Sequence, residues 1–456
     1  MTVENAGAGA VTGTGAWAGR PPGLPGAVPP PWVPLSFLVA SAAGLVATGI
    51  AWAWAASPAA STPRADPVVA AVHFGVLATL AMGIIGAAHQ FVPVVTGQPL
   101  RSIRMARATL VVWLAASWML PLGVATEQLA VTATSGALAG LGVVIFAMNV
   151  MKPLSVRGKG TPVTALRLAV VGAVLTGFLG AAFVGDRQGN WFDLTGHADV
   201  AMGVLGLFAW LGMTYVGVAE KLWPMFMLAH VPGRRRWGRG AVVGVGVGAA
   251  LVTPGLGWDV SGLAFTGAAI LAAGLGAHLV SLALHVRHRR RKADLHLVFV
   301  VTSAAWLPVA AGLALAASVV LPHHTHAGMA LAAGAVAAVG SWLLVALVGH
   351  VHKVVPFIVW SLLRSRGVKD GPAGKPIMFA DLFDHRVAAV TYATVTAGTG
   401  ALCAGLAASL PSLTTAGGAL LSITGVVVAT NLSTTPLRML RRASHAVIAG
   451  SAVTPR

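Results

Sequence analysis

Charge is what this chain has least of. Charged residues make up 9% of its 456 residues, against about 25% in ordinary soluble domains, and its mean hydropathy is +0.81. That balance excludes a soluble globular protein. Acidic residues are scarcer still, 12 against 30 basic ones. The apolar stretches are almost free of Asp and Glu, the carboxylates that often mark proton paths through a membrane. The single cysteine, Cys403, rules out an intrachain disulfide, a CxxC motif and the CxxCH attachment of a covalent haem. It lies in an apolar run and reads as a small buried hydrophobe. No stretch has the composition of an independent soluble domain, and 365–385 is the one sizeable polar loop.

What is abundant is apolar sequence. Twelve runs are long enough to cross a hydrocarbon core about 30 Å thick. They cover roughly 35–56, 69–94, 108–126, 130–150, 163–184, 197–219, 240–256, 261–285, 295–321, 327–349, 386–409 and 413–434. The expected fold class is an all-α polytopic membrane protein with twelve transmembrane helices in residues 35–435. Residues 1–34 are rich in Gly, Ala and Pro and lack the basic start and short apolar core of a secretion signal. They read as a disordered cytoplasmic tail, and 436–456 as a second cytoplasmic tail.

The formal charge of +18 does not point to nucleic acid, because of where it lies. Basic clusters follow every even-numbered span: Arg101 to Arg107, Lys152 to Lys159, Arg234 to Arg239, Arg287 to Lys292, Arg364 to Lys375 and Arg438 to Arg442. With both termini cytoplasmic, only Arg64 and Arg187 fall outside. This is the positive-inside pattern of a multi-pass protein of the plasma or inner membrane. The partner it implies is the lipid bilayer.

A short phrase occurs three times. It reads Gly86-Ala-Ala-His89-Gln-Phe-Val-Pro93, Gly217-Val-Ala-Glu220-Lys-Leu-Trp-Pro224 and Gly349-His-Val-His352-Lys-Val-Val-Pro356. The steps from His89 to Glu220 and from Glu220 to His352 are 131 and 132 residues, far beyond solenoid units of about 20–50. Twelve spans over three phrases give pseudo-repeats of four helices, about 35–150, 163–285 and 295–434, with the phrases ending spans two, six and ten. Gly83, Gly86, Gly212, Gly217 and Gly349 on the same spans suit either close helix contact or the approach of a flat macrocycle.

Fifteen histidines are many for so uncharged a chain, and an ionisable group within a span is a functional hypothesis. His73, His197, His323, His324 and His326 fall at the outer ends of spans two, six and ten, where imidazole is a ready haem or metal ligand. His89, Glu220 and His352 hold matched inner-end positions. They read either as a proton or metal site or as groups serving their own helices beside the following proline. His278, His285 and His288, next to five basic residues, read as a solvated helix end. Trp113, Trp118, Trp223 and Trp360 fit interfacial belts.

This layout resembles the catalytic subunit of the haem–copper oxidase superfamily. His73-Phe-Gly through Gly83-Ile-Ile-Gly86 to Val92-Pro93 and Gly97 is similar to the family's second helix, whose early histidine binds low-spin haem. His324-Thr-His326 has the family's His-x-His form, where the two residues hold two haems. His352-Lys-Val-Val-Pro356 is similar to its His-Trp-Phe-Pro ending. His197 falls where the family places its first copper ligand. Related divergent proteins include a membrane haem protein of the nitric-oxide response.

The resemblance implies non-covalent haem at His73, His324 and His326, with copper or another metal at His197. It also implies an electron-donor protein or a second subunit as partner. The departures bear on activity. Span seven has no histidine, so the family's three-histidine copper site is not assembled. Tyr215 is about 27 Å along its helix from His197, too far for the family's cross-link. His326 sits about 15 Å further along its helix than His73. The expected function is haem-binding membrane electron transfer, or chemistry of a diatomic gas (nitric oxide or oxygen) near the outer face. An oxidase or nitric oxide reductase-like activity is left open. The alternatives are a transporter or channel-like protein, or a cofactor-free assembly partner.

Overall fold

The computed structural model describes residues 28–158, 160–189, 197–320, 325–368, 370 and 376–451. Within them, twelve helices are long and apolar enough to span a bilayer. They are α1 Trp32–Trp54, α2 Asp66–Thr96, α3 Ile103–Ala125, α4 Leu129–Leu154, α5 Thr161–Phe183, α6 Ala198–Met227, α7 Arg235–Gly257, α8 Ser261–Arg287, α9 Leu295–Ser318, α10 His326–Ser365, α11 His385–Ala407 and α12 Pro411–Thr434. The only extended pairing among the described residues is an isolated bridge between Asp370 and Pro376. The chain is an all-α polytopic membrane protein, as an interior without water demands of its backbone.

Neighbours in sequence pair in space: α1 with α2, α3 with α4, α5 with α6, and so on to α11 with α12. α1 also runs along α12 and closes the bundle. α2, α6 and α10 touch one another at the centre. They are the most buried, with 61%, 67% and 61% of their apolar windows inside the protein against 22–56% for the others. The peripheral hairpins turn large apolar side chains outward, such as Val111, Phe178, Val243 and Phe265, where lipid receives them.

Two central helices share an unusual feature. Phe74–Ala81 of α2 and Leu205–Gly212 of α6 are π-helical, eight residues each, and every boundary of one is 131 residues from the other. π-turns are rare and cluster at functional sites. Neighbouring side chains cover the backbone there. Ser41 Oγ donates to the Thr79 carbonyl at 2.7 Å and Trp113 Nε1 to the Leu77 carbonyl at 3.1 Å.

The phrase glycines are contact points. A Cβ on Gly86 would meet Phe37 of α1, one on Gly217 would meet Ala165 of α5, and one on Gly349 would meet Phe299 of α9. Each therefore faces the preceding helix, which is close packing rather than room for a macrocycle. Two hairpins are also tied alike. The Ser102 amide donates to Asn149 Oδ1 and the Asp384 amide to Asn431 Oδ1, both at 2.9 Å and both across 47 residues.

The prolines do not end their helices. Pro93, Pro224 and Pro356 all lie inside α-helix. α6 runs on to Met227 and α10 to Ser365, past the limits of 219 and 349 expected from hydropathy. A proline loses one amide donor, and the acceptor it strands is the carbonyl four residues back. That carbonyl belongs to His89, Glu220 and His352 respectively.

Candidate functional site

The outer-end residues lie near the surface. His73 is the last α-helical residue before the π segment of α2. It is half-buried, and its Nδ1–H donates to the Val69 carbonyl at 2.7 Å. A carbonyl can only accept, so Nδ1 carries the proton and the lone pair is on Nε2. That is the orientation usual for metal-bound imidazole. His326 opens the 40-residue helix α10, is exposed, and points Nε2 at the Ala60 carbonyl, 2.7 Å away. Nε2 of His326 is thus engaged by a carbonyl, whereas the bond of His73 to Val69 is made through Nδ1. His323 and His324 lie outside the described residues. His197 is half-buried, with Nδ1 3.8 Å from the exposed Asp259 carboxylate. Arg64 and Asp199 bridge the same end at 2.9 Å.

The inner-end residues are buried. His89 has no exposed surface. Its Nδ1–H donates to Ile85 at 2.9 Å, and its ring stacks on Phe37 at 5.3 Å and meets Phe146 edge-on at 5.4 Å. His352 donates to Val348 at 2.8 Å and lies between Phe299 and Phe383. Both rings therefore bond the turn before them, not the carbonyl the proline strands. Glu220 is the one buried carboxylate among the described residues, and its Oε1 accepts from Ser281 Oγ of α8 at 3.0 Å. His89, Glu220 and His352 keep three different sets of neighbours. No group of three or more His, Cys, Asp or Glu among the described residues could hold a metal ion.

The structure corrects the reading of the α8 histidines. His278 and His285 have no exposed surface, and only His288 is solvated. α8 buries Gly267, Leu271, Gly274, His278, Ser281 and His285, a stripe at alternating steps of four and three. Arg287 and the basic loop lie off that stripe. This alternation was the available signal, masked by the adjacent charge. Trp113 and Trp223 are likewise interior, 1% and 0% exposed, where belt residues would face the interface. Cys403 is buried, as its apolar run implies.

These histidines belong to a centre that sequence spacing did not single out. Tyr215 of α6 meets His278 of α8 at 5.7 Å and His350 of α10 at 5.6 Å, ring centre to ring centre. His350 lies 4.9 Å from His296 of α9, and Trp223 stacks at 4.7 Å on His278. His350 Nδ1–H is tied to the Ala346 carbonyl at 2.8 Å. Nε2 of His296 and His350, and both ring nitrogens of His278, are buried without a hydrogen-bond partner. Each such group forfeits about 1–3 kcal/mol, which a purely structural interior would avoid. Toward the basic loops, Asp294 caps α9 through the Leu297 amide and binds Lys353 Nζ at 2.6 Å.

Two cavities among the described residues lie away from the Tyr215 cluster and the outer-end histidines. One of about 450 Å³ lies at the α6–α7 loop beside His230 and Arg235. Another, of about 10 Å³, lies between Phe146 and Trp210. The chain matches no protein-family model and no curated protein.

Proposed function

We propose that the chain is a haem-binding integral membrane protein of the haem–copper oxidase type, acting in electron transfer or in chemistry of nitric oxide or oxygen near the outer face. The observation that carries this reading is His73. It is held by Val69 with Nε2 free of that bond, at the mouth of a π segment on a central helix. Bound haem would supply one-electron exchange and a coordination position for a diatomic molecule. The chain's own part is to orient the ligand and keep water out. Orientation comes from the Nδ1–H bond, and exclusion of water from the surrounding apolar helices. His324 and His326 are the second-ligand candidates, and His326 would have to leave Ala60 to serve.

The pseudo-repeat of four helices belongs to the same proposal. The 131-residue match of the π segments, the three glycine contacts and the two 47-residue asparagine ties support it. The distribution of basic loops supports cytoplasmic termini, and with them His73 at the outer face.

The test is the absorption spectrum and iron content of protein purified from haem-sufficient cells. A Soret band with bound iron is expected, weakened or abolished in His73→Ala. A colourless, iron-free preparation of intact protein would favour a transporter or an assembly partner. His197 with Asp259 alone does not make a copper site, since affinity depends on ligand number and fixed geometry. Elemental analysis should find no stoichiometric copper, and oxygen consumption with an artificial donor should be negligible. One copper per chain with rapid turnover would defeat this part of the reading.

A further inference from the structure

We propose that the cavity at the α6–α7 loop is a binding site for the phosphate group of an anionic phospholipid. The cavity has a volume of about 450 Å³ and is walled by Ala229 to Gly233 and Arg235, which is within the size range of small-molecule sites. His230 and Arg235 supply its polar side chains. The site is separate from the haem ligands and from the buried histidines.

Two basic segments meet there. The Arg290 and Arg291 amides donate to the Met227 carbonyl at 3.1 and 3.3 Å. This pins the α8–α9 loop against the end of α6, two residues before the cavity wall begins. Arg235, Arg236 and Arg239 open α7, and Arg289, Arg290 and Arg291 lie on the second loop. All six are exposed. None of them is in an ion pair among the described residues, where the pairs are Arg64–Asp199, His197–Asp259 and Lys353–Asp294. The carboxylates that could answer them are engaged. Asp294 holds Lys353, and the buried Glu220 accepts from Ser281. Arg236 rests on the Trp237 ring and Arg289 donates to the Val286 carbonyl, contacts that place a charge without neutralising it. Like charges gathered in this way repel one another and draw an anion. The planar fork of arginine matches the oxygens of a phosphate.

Depth selects a lipid over a free anion. α6 has 30 residues, about 45 Å of helix, enough to cross the hydrocarbon core and reach the headgroup layer. Met225 and Leu228, just before the cavity, are 42% and 53% exposed and suit acyl chains beside the charged group. Leu228 ends α6 at φ 50°, a left-handed conformation uncommon for a residue with a side chain. Such strain clusters at ligand sites, and here it sends the chain into the cavity wall.

The same charges choose among lipids. Phosphatidylcholine carries a quaternary ammonium beside its phosphate, which the arginines repel. Phosphatidylglycerol offers the phosphate with hydroxyls alone, and the His230 ring can bond to these.

The experiment places the full-length protein in nanodiscs of equal phosphatidylglycerol and phosphatidylcholine, re-extracts it in mild detergent, and counts retained lipid by mass spectrometry of the intact complex. Wild type should retain phosphatidylglycerol in preference to phosphatidylcholine. Arg235→Gln with Arg290→Gln should lose that preference. Pro232→Trp, which keeps every charge and fills the cavity, should lose it as well. Arg101→Gln with Arg104→Gln removes as much charge near the α2–α3 loop and should keep it. All five positions are exposed; if the Arg235 and Arg290 variant does not elute as monodisperse protein, His230→Ala gives the same reading. Equal retention of the two lipids by wild type overturns the proposal, as does an unchanged preference in Pro232→Trp. An equal loss in the Arg101 and Arg104 variant also overturns it, because the loops would then act by total charge. Displacement of phosphatidylglycerol by inorganic phosphate at equal concentration would make a free anion the occupant and overturn the lipid. Retention is read without the Soret band, so failure of the haem reading and failure of this site are separate results.

Discussion

The two ends of the central helices treat the same side chain in opposite ways. At the outer end, His197 and His326 keep some solvent exposure, and each lies beside a named oxygen, Asp259 or Ala60. At the end beside the basic loops, on α2, α10 and the adjoining α8 and α9, His89, His278, His296, His350 and His352 are buried among aromatic rings with Nε2 unpartnered. A surface imidazole loses little if its partner leaves, because water replaces it. A buried one has no such exchange, so an unpartnered nitrogen there carries a desolvation cost. The first end therefore leaves its imidazoles room to rearrange, and the second holds them in a fixed frame.

The strongest way to break this comparison is to disturb the inner frame itself. Gly349→Leu drives a side chain into Phe299, and overpacking of this kind costs about 1–3 kcal/mol or more. Loss of monodisperse protein in gel filtration is expected. A variant as stable as wild type would show that the inner end is looser than its packing implies.

Next in size is the spectroscopic contrast at the outer end. His73→Ala should remove most of any Soret absorbance, and His326→Ala should remove less, because His326 already bonds Ala60. Equal losses would mean that α10 rearranges when haem binds.

A third measurement sharpens which end is which. In a Cys403→Ser background, cysteines replacing exposed Gln128 and Trp258 should react with an impermeant maleimide from outside. Those replacing exposed Arg235 and Asp370 should react only after the membrane is opened. The opposite pattern would exchange the two faces and move the haem proposal to the cytoplasmic side.

The smallest effect is expected at Asp384, the cap of α11. The Val387 and Arg386 amides hold its carboxyl below the usual value. With the folded-state pKa lowered, the stabilisation is present above the unfolded-state value and is lost as pH falls through the folded one. Asp384→Ala should slightly lower the thermal midpoint at pH 7, and the gap from wild type should narrow below about pH 4. A gap that widens in acid would give Asp384 a different role.

Hydropathy made all twelve helices legible, because length and apolar content are the physical requirements for crossing a bilayer. It misjudged the inner ends of α6 and α10, since Pro224 and Pro356 remove one donor without stopping the helix. The π segments left no trace in composition, and the α2 carbonyls of Leu77 and Thr79 are met by Trp113 and Ser41 from distant parts of the chain. His73, His89, Glu220 and His352 stood out through spacing within or between spans. Their surroundings did not, and His278 was hidden by the charges that follow it. Tyr215, His296 and His350 meet only because three helices converge, which no local pattern encodes.

The closure of the bundle bears on how the protein is made. α1 leaves the ribosome long before the helix that covers it, α12. Ser422 Oγ of α12 donates to the Val46 carbonyl of α1 across 376 residues of chain. At synthesis rates of about 5–20 residues per second, α1 waits on the order of 20–75 s with that face open. During this interval Gly49, whose Cα lies against α12, exposes a groove that the insertion machinery must shield or lipid must fill. Biogenesis of this bundle is therefore a race between its last helix and any stray partner for its first.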